Sequence, residues 1–385
     1  MWDAVKVFDD MPKRDTVSWN SIISSFLSNG DLEMGFKYFR QIVGLGIDQI
    51  DQATFTTVLS AGDGLGFLRV NEMVHALSGI DIDPNMVSAI LGVFGADTSM
   101  AFGQQIHSLV IKKRFGANTY VSNGLMNMYS KCGTLEDSTK VFQRIPQRNS
   151  VSWNSIIAAF ARLGDGLKAI QVYEEMLSEG IEPTDVTFLS LLHACSHVGL
   201  VDKGMEFFES MSKVHRINPR MEHYACVVDM LGRARLLSEA KDFVDKLPVK
   251  PRILVWQALL GACAIHGDSE LGKYAAEQLL LLAPENPAPY VQLANIFSSE
   301  GKWRDRAMAI KRMKEAGLAK ETGISWIEIE KNVHSFVVCD PMHPLADSIY
   351  SVLAQMFLQL VDEGYQPDKR FILCCLDQDE EVAIP

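Results

Sequence analysis

Residues 17–23 read Val-Ser-Trp-Asn-Ser-Ile-Ile, and the same seven residues recur without a change at 151–157. The flanks repeat in the same frame, because residues 6–8 match residues 140–142. The offset between the copies is too long for one supersecondary element. The sequence therefore predicts that several smaller repeats lie between the two copies.

Within each copy the apolar residues follow the period of an α-helix. Trp19, Ile22 and Phe26 fall at i, i+3 and i+7, which places them on one helical face, and both tryptophans are predicted to be core anchors. Gly30 predicts the end of that helix, and Asp31 predicts the N-cap of the next one. The same alternation predicts helical hairpins over residues 84–118, 119–149, 150–184, 185–220 and 221–251.

Two places depart from this regular alternation. The chain begins with what reads as the second helix of a pair, expected over residues 3–11, so the first repeat is truncated. The repeat near residues 52–83 is shortened by a few residues. An internal deletion or a partial gene model is one interpretation of both departures.

Composition and charge limit the function classes. The 385 residues carry a net charge of −12, which disfavours general nucleic-acid affinity, but residues 84–168 carry nine basic and four acidic side chains. No apolar run approaches the roughly 20 residues of a membrane span, and no signal or transit peptide is recognised at the start. The seven cysteines include no C-x-x-C pair and are predicted to be small buried hydrophobic residues.

Several phrases carry a family resemblance. They are Val151-Ser152-Trp153-Asn154, residues 128–133 (Met-Tyr-Ser-Lys-Cys-Gly), residues 192–197 (Leu-His-Ala-Cys-Ser-His), residues 228–233 (Val-Asp-Met-Leu-Gly-Arg) and residues 256–263 (Trp-Gln-Ala-Leu-Leu-Gly-Ala-Cys). The chain resembles a plant pentatricopeptide repeat protein of the PLS subgroup. The resemblance implies an all-α fold, a right-handed α-α superhelix or solenoid of helical-hairpin repeats.

The resemblance also implies a division of the chain. Residues 1–251 correspond to the repeat array, residues 252–319 to a TPR-like E domain of helical hairpins, and residues 320–385 to an E+ extension with an acidic tail. In this family the concave face reads single-stranded RNA, one base per repeat.

The family's base-reading residues occupy the fifth and last positions of a repeat. Carried over to this chain, the pairs are Asn20 with Asp51, Asn123 with Asn149, and Asn154 with Thr184. The second position, which sandwiches the base, is Val17, Tyr120 and Val151. An Asn/Asp pair implies uracil and an Asn/Asn pair a pyrimidine. The alternative for each asparagine is exposure to water or local bonding to the backbone.

Catalytic chemistry is not predicted. Editing members of the family often continue into a DYW-type zinc deaminase, which needs H-x-E and C-x-x-C, and neither motif occurs here. His193 and His197 stand at i, i+4, but no third ligand follows at metal-site spacing, so they are interpreted as packing residues. We therefore expect no enzyme activity, no cofactor and no metal.

The resemblance implies a specificity factor for C-to-U editing in organelle RNA, with the deaminase supplied in trans. Its expected partners are single-stranded organelle RNA and, through residues 252–385, a DYW-type deaminase or other editing-complex proteins. The expected location is the mitochondrion, with the chloroplast as the alternative. A TPR-like protein-interaction scaffold and a truncated, non-functional family member are the rival interpretations.

Overall fold

The computed structural model describes residues 2–45, 54, 83–92, 100–320, 323–329, 332–337 and 343–366. The chain divides into two compact modules, residues 1–194 and residues 195–385. Asp51, nearly all of the shortened repeat and Cys339, Cys374 and Cys375 lie outside the described residues.

The first module contains helical hairpins. Its helices are α1 (Trp2–Asp9), α2 (Thr16–Ser28), α3 (Leu32–Leu45), α4 (Pro84–Gly92), α5 (Met100–Lys112), α6 (Thr119–Lys131), α7 (Leu135–Arg144), α8 (Ser150–Arg162) and α9 (Gly166–Ser178), followed by α10 (Asp185–Val198), within which the module ends. A short 3-10 helix spans Phe115–Ala117. The first helices of successive hairpins lie side by side, α4 against α6 and α6 against α8.

The second module also contains helical hairpins, together with two strands in its described part. Its helices are α11 (Val201–Lys213), α12 (Met221–Arg233), α13 (Leu237–Asp245), α14 (Ile253–His266), α15 (Ser269–Leu282), α16 (Ala288–Ser299), α17 (Trp303–Glu315) and α18 (Ala346–Asp362). The first helices again pack side by side, α12 against α14 and α14 against α16. The predicted solenoid of helical hairpins is confirmed within the described part of each module.

The repeated heptapeptide anchors two hairpin cores. Trp19 and Trp153 are 2% and 1% exposed, and each ring meets a phenylalanine of the preceding helix edge-on, Phe8 at 4.8 Å and Phe142 at 4.9 Å between centroids. Edge-to-face geometry suits the ring quadrupoles. The prediction that both tryptophans are core anchors is confirmed.

Helix α1 is shorter than expected. It ends at Asp9 rather than Met11, and only Phe8 of its apolar residues is clearly buried, while Val7 is 61% exposed. Pro12 follows, and the residue before a proline is biased away from the α region, which stops the helix early.

In five repeats the turn between the two helices contains a left-handed residue at the fifteenth position. Gly30, Gly133, Gly164 and Gly199 occupy it with φ between +77° and +84°. In repeat 221–251 the same position is Arg235, at φ +66°. Glycine adopts this conformation without the steric cost that a Cβ imposes.

Gly232, three residues before the left-handed residue of this repeat, lies inside α12. A Cβ on Gly232 would overlap the Cβ of Ala262 on α14. The residue is therefore a close-packing glycine, and the turn of this repeat begins after it.

A β-hairpin departs from the all-α expectation. Strands β1 (Ile324–Ile329) and β2 (Asn332–Val337) pair antiparallel, with Ile327 opposite His334. The β1 sequence Ile-Ser-Trp-Ile-Glu-Ile is rich in β-branched and aromatic residues, which favour a pleated surface over a helix.

Candidate nucleic-acid interface

The second-position residues lie in the first turn of α2, α6 and α8, exposed to solvent. Val17 is 71% exposed, Tyr120 is 70% and Val151 is 53%. Each is three residues before the fifth-position asparagine, so the two side chains share one helix face. The repeats thus place an exposed flat or branched side chain beside each predicted reading residue.

The fifth-position asparagines lie deeper than the sandwiching residues. Asn123 is 7% exposed and Asn154 is 8% exposed, while Asn20 is half-buried. A buried side-chain amide needs hydrogen-bond partners, because desolvating it without any costs about 1–3 kcal/mol. The two buried asparagines differ in how that need is met.

Asn154 is fully engaged. Its Nδ2 donates to Thr184 Oγ1 at 2.8 Å, and its Oδ1 accepts from Thr187 Oγ1 at 2.5 Å. The Thr184 backbone N–H donates to the same Thr187 oxygen at 2.8 Å, at the start of α10. The structure therefore brings the predicted pair Asn154 and Thr184 into direct contact.

Asn123 is the opposite case. Neither Nδ2 nor Oδ1 has a hydrogen-bond partner among the described residues, although both atoms are buried. Its predicted partner Asn149 is therefore not bonded to it. This buried amide retains an unused donor and an unused acceptor.

The last residue of a repeat also caps the next helix. Asn149 Oδ1 accepts from the Ser152 backbone N–H at 3.0 Å and from Ser152 Oγ at 3.1 Å, at the start of α8. Asn118 caps α6 in the same way through Tyr120 and Val121. The alternative of local backbone bonding thus holds for the oxygen of Asn149, whose Nδ2 is not used in the cap.

Asp15 shows the acidic version of this cap. Its Oδ1 accepts from the Ser18 backbone N–H at 2.8 Å and the Ser18 hydroxyl at 2.5 Å. These bonds, the hydroxyl first, lower the pKa of the Asp15 carboxyl below its usual range. An aspartate at this position is therefore compatible with the cap.

The sequence did not predict a role for the hydroxyl at the third position of three repeats. Ser18, Ser152 and Thr187 occupy it, and each hydroxyl contacts the preceding last-position residue or the fifth-position asparagine. The signal was present as a hydroxyl residue three positions after an N-cap, which is the spacing of a capping box.

Two cations of the basic segment serve internal packing. Arg148 lies over the Phe142 ring, with its guanidinium carbon 4.7 Å from the centroid, and Arg162 donates to Ser130 Oγ at 2.9 Å. Lys112 and Arg114, near the end of α5, are exposed. Part of the local positive charge therefore faces solvent.

The described cysteines behave as predicted hydrophobic residues where they are buried. Cys195 and Cys263 are buried, and Cys132 and Cys226 are half-buried. Burial raises the pKa of Cys195 to about 11 and the pKa values of Cys226 and Cys263 to about 12. These thiols are not activated nucleophiles.

Two further searches of the described residues bear on metal binding and membrane insertion. No group of three histidine, cysteine or acidic side chains is placed to share a metal ion in that part of the chain. None of the helices described is long and apolar enough to span a bilayer.

Comparison with known protein families identifies the type of repeat. The PPR repeat profile matches residues 17–47, 120–150 and 186–214, the PPR repeat family profile matches 148–197, and the E motif profile matches 266–328. The chain belongs to the pentatricopeptide repeat family.

Its relatives include two proteins of Arabidopsis thaliana. A chloroplastic pentatricopeptide repeat-containing protein is 37% identical over 385 residues, which are 100% of this chain and 41% of the relative. A mitochondrial one is 38% identical and covers 97% of this chain and 56% of the relative. The chain thus spans about half the length of these relatives.

Solved structures of a maize family member are also similar. The pentatricopeptide repeat protein PPR10 from maize aligns with 96% of this chain and 53% of its own at 16% identity, with a TM-score of 0.49. PPR10 in complex with an 18-nt psaJ RNA element aligns with 83% of this chain and 57% of its own at 15% identity, with a TM-score of 0.43.

Proposed function

We propose that this chain is a sequence-specific single-stranded RNA-binding factor. The observation that carries the proposal is the Asn123 side chain, which is buried with both amide atoms unbonded among the described residues. A folded protein tolerates such a group where a ligand supplies the missing partners. The Watson–Crick edge of a base offers both a donor and an acceptor, as an asparagine does.

The surroundings of Asn123 suit a base rather than an isolated polar group. Tyr120, one turn earlier on α6, exposes 70% of its surface, and Val151 at the start of the next repeat exposes 53%. Flat and branched apolar side chains stack on either face of a base. A base stacked between such side chains would direct its Watson–Crick edge toward the asparagine at the fifth position.

The finer role we propose is recognition of a C-to-U editing site, with the deaminase supplied by another chain. Residues 266–328 match the E motif, which supports this role. Helix α18 exposes an apolar series, Leu353, Met356 and Leu360, at 51%, 53% and 51%. This surface favours a protein partner for the region after the repeats, such as a DYW-type deaminase or another editing-complex protein.

We propose the mitochondrion as the location of this activity, with the chloroplast as the alternative, because one relative named as mitochondrial and one named as chloroplastic align with 97% and 100% of this chain. The division into repeats (1–251), E domain (252–319) and E+ extension (320–385) is part of the same proposal. Asn20 with Asp51 is proposed as a third reading pair.

The proposal is tested by RNA selection. The purified chain is equilibrated with a random single-stranded RNA pool at two salt concentrations, and the bound RNA is sequenced. We expect enrichment of a pyrimidine at one fixed position that Asn123→Ala abolishes. The matched control is Asn29→Ala, which removes the same amide from the exposed end of α2, where it donates to the Ser25 carbonyl at 2.7 Å.

Other outcomes separate the rivals. Salt-sensitive binding without base enrichment would indicate an electrostatic surface only, because phosphate contacts carry no sequence information. Absence of RNA binding by the folded chain would contradict the proposal and favour a protein-interaction scaffold or a non-functional member.

A further inference from the structure

We propose that Thr187 is a positioning residue for RNA reading: it fixes the Asn154 amide so that repeat 150–184 presents the Thr184 hydroxyl as a hydrogen-bond donor to the base. This inference rests on the proposed RNA-binding function. It concerns a residue of the following repeat, outside the predicted pair of reading residues.

The direction of every bond in the network follows from one donor. The Thr184 backbone N–H can only donate, so Thr187 Oγ1, 2.8 Å away, accepts from it. The Thr187 hydroxyl proton then points to its other close partner, Asn154 Oδ1 at 2.5 Å. The amide oxygen is thereby held toward Thr187, and Nδ2 faces Thr184 Oγ1 at 2.8 Å.

The Thr184 hydroxyl proton remains for a ligand. Its oxygen accepts from Asn154 Nδ2, and an amide NH2 group cannot accept a hydrogen bond, so the Thr184 hydroxyl proton must point elsewhere. The Thr187 Oγ1 atom lies 3.3 Å away, beyond the usual 2.5–3.0 Å range of an O–H···O bond. Thr184 is half-buried, so the proton is available to an acceptor on a base edge.

Repeat 119–149 shows what happens without this arrangement. Ser152, the third residue of the following repeat, is the counterpart of Thr187, but its hydroxyl donates to Asn149 Oδ1 at 3.1 Å and not to Asn123. Asn149 is also held by the Ser152 backbone N–H at 3.0 Å. Loss of the Ser152 hydroxyl should therefore leave the reading groups of that repeat in place, which makes Ser152→Ala a matched control.

The test compares RNA selection profiles of the wild type, Thr187→Val, Thr187→Ser and Ser152→Ala. The nucleotide addressed by repeat 150–184 is identified as the one whose enrichment Asn154→Ala changes. Freeing an amide that one hydrogen bond orients corresponds to about 1 kcal/mol, or about a fivefold loss of base preference. We expect that loss in Thr187→Val at this nucleotide only, with recovery in Thr187→Ser.

The outcomes distinguish this inference from the proposed function. An unchanged profile in folded Thr187→Val, or a profile lost equally in Thr187→Ser, would overturn the positioning role while RNA reading at Asn123 stood. Absence of enrichment in the wild type would remove both.

A second measurement covers the case in which Thr187→Val does not fold. In the free wild-type protein the Asn154 side-chain NH2 should exchange with solvent at least tenfold more slowly than that of Asn123. Equal exchange rates would contradict a fixed amide.

Discussion

Repeats 119–149 and 150–184 carry the same asparagine at the same position, yet the two amides differ in bonding. Asn154 is bound by two threonines, whereas Asn123 has no partner among the described residues. The difference arises at the last position of the repeat. The Ser152 hydroxyl donates to the last-position residue Asn149, whereas the Thr187 hydroxyl donates to the fifth-position residue Asn154. A reading residue therefore cannot be interpreted without its neighbours.

The comparison also separates stability from recognition. The bonded amide contributes to folding, because each net hydrogen bond is worth about 1 kcal/mol. The unbonded one costs folding free energy, and we propose that RNA binding supplies its missing partners. Variants of the two asparagines and of their neighbours test this difference in stability and in RNA recognition.

The largest effect is expected for Asn154→Leu. It removes two hydrogen bonds and leaves two threonine hydroxyls short of a partner, so the free energy of unfolding should fall by about 2 to 3 kcal/mol. Urea denaturation measures it. The control is Ser155→Ala, which removes a hydroxyl that donates to the Val151 carbonyl of its own helix at 2.8 Å. A loss no greater than in the control would mean that the network adds nothing.

The opposite sign is expected for Asn123→Leu. Replacing an unbonded buried amide with an apolar group of similar shape should raise the free energy of unfolding by about 1 kcal/mol, while base enrichment at that repeat disappears. The same denaturation and selection measurements apply. Destabilisation would show that Asn123 already has a partner in the free protein, and the contrast with Asn154 would fail.

A comparison at the hairpin turn predicts a smaller gain. Arg235→Gly places in repeat 221–251 the residue type that four other repeats have at this position, Gly30, Gly133, Gly164 and Gly199. The left-handed conformation costs a non-glycine residue about 1–2 kcal/mol, partly offset by the chain entropy of glycine. We expect a net gain of about 0.5 to 1 kcal/mol in thermal unfolding. A loss would indicate that the arginine side chain makes a stabilising contact.

The smallest effect on stability is expected for Asn149→Asp. Asparagine and aspartate are equivalent N-caps, so the free energy of unfolding should change by only a few tenths of a kcal/mol at neutral pH. The family resemblance implies that selection narrows from pyrimidine to uracil at this repeat. An unchanged profile would remove Asn149 from the reading pair.

The same variant should acquire a pH dependence. Asp15, in the equivalent cap, has a lowered pKa because the Ser18 hydroxyl and backbone N–H bond its carboxylate. A lowered folded-state pKa contributes stability above the unfolded pKa and loses it as pH falls through the folded value. Acid titration of stability in Asn149→Asp against wild type should show this additional loss on the acidic side.

The sequence was sufficient for the hairpins because apolar spacing, glycine stops and N-caps act locally. Trp19, Trp153 and the turn at Gly30 follow from those signals. Arg235 did not, since nothing in its residue type marks a left-handed turn. The β-hairpin at 324–337 was missed because a short apolar run does not by itself distinguish strand from helix.

The equivalence of the candidate asparagines was predictable from the sequence, but their hydrogen bonding was not. Repeat counting placed Asn123 and Asn154 at equivalent points, and both are buried on the same part of their helices. Which amide is bonded depends on side-chain hydroxyls contributed across repeats, 30 residues away for Thr184 and 33 for Thr187. Helix propensity and apolar periodicity describe residues within one helix, so they do not predict hydrogen bonds between repeats.

The central claim is that the Asn123 amide is kept for an RNA base. Its most direct test is the NMR spectrum of side-chain amides in protein labelled with ¹⁵N at asparagine, recorded with and without a selected pyrimidine-containing RNA. Asn123→Ala and Asn154→Ala assign the two signals. We expect a large chemical-shift change and slowed solvent exchange of the Asn123 side-chain NH2 on RNA binding. RNA binding that leaves the Asn123 signal unchanged would contradict it.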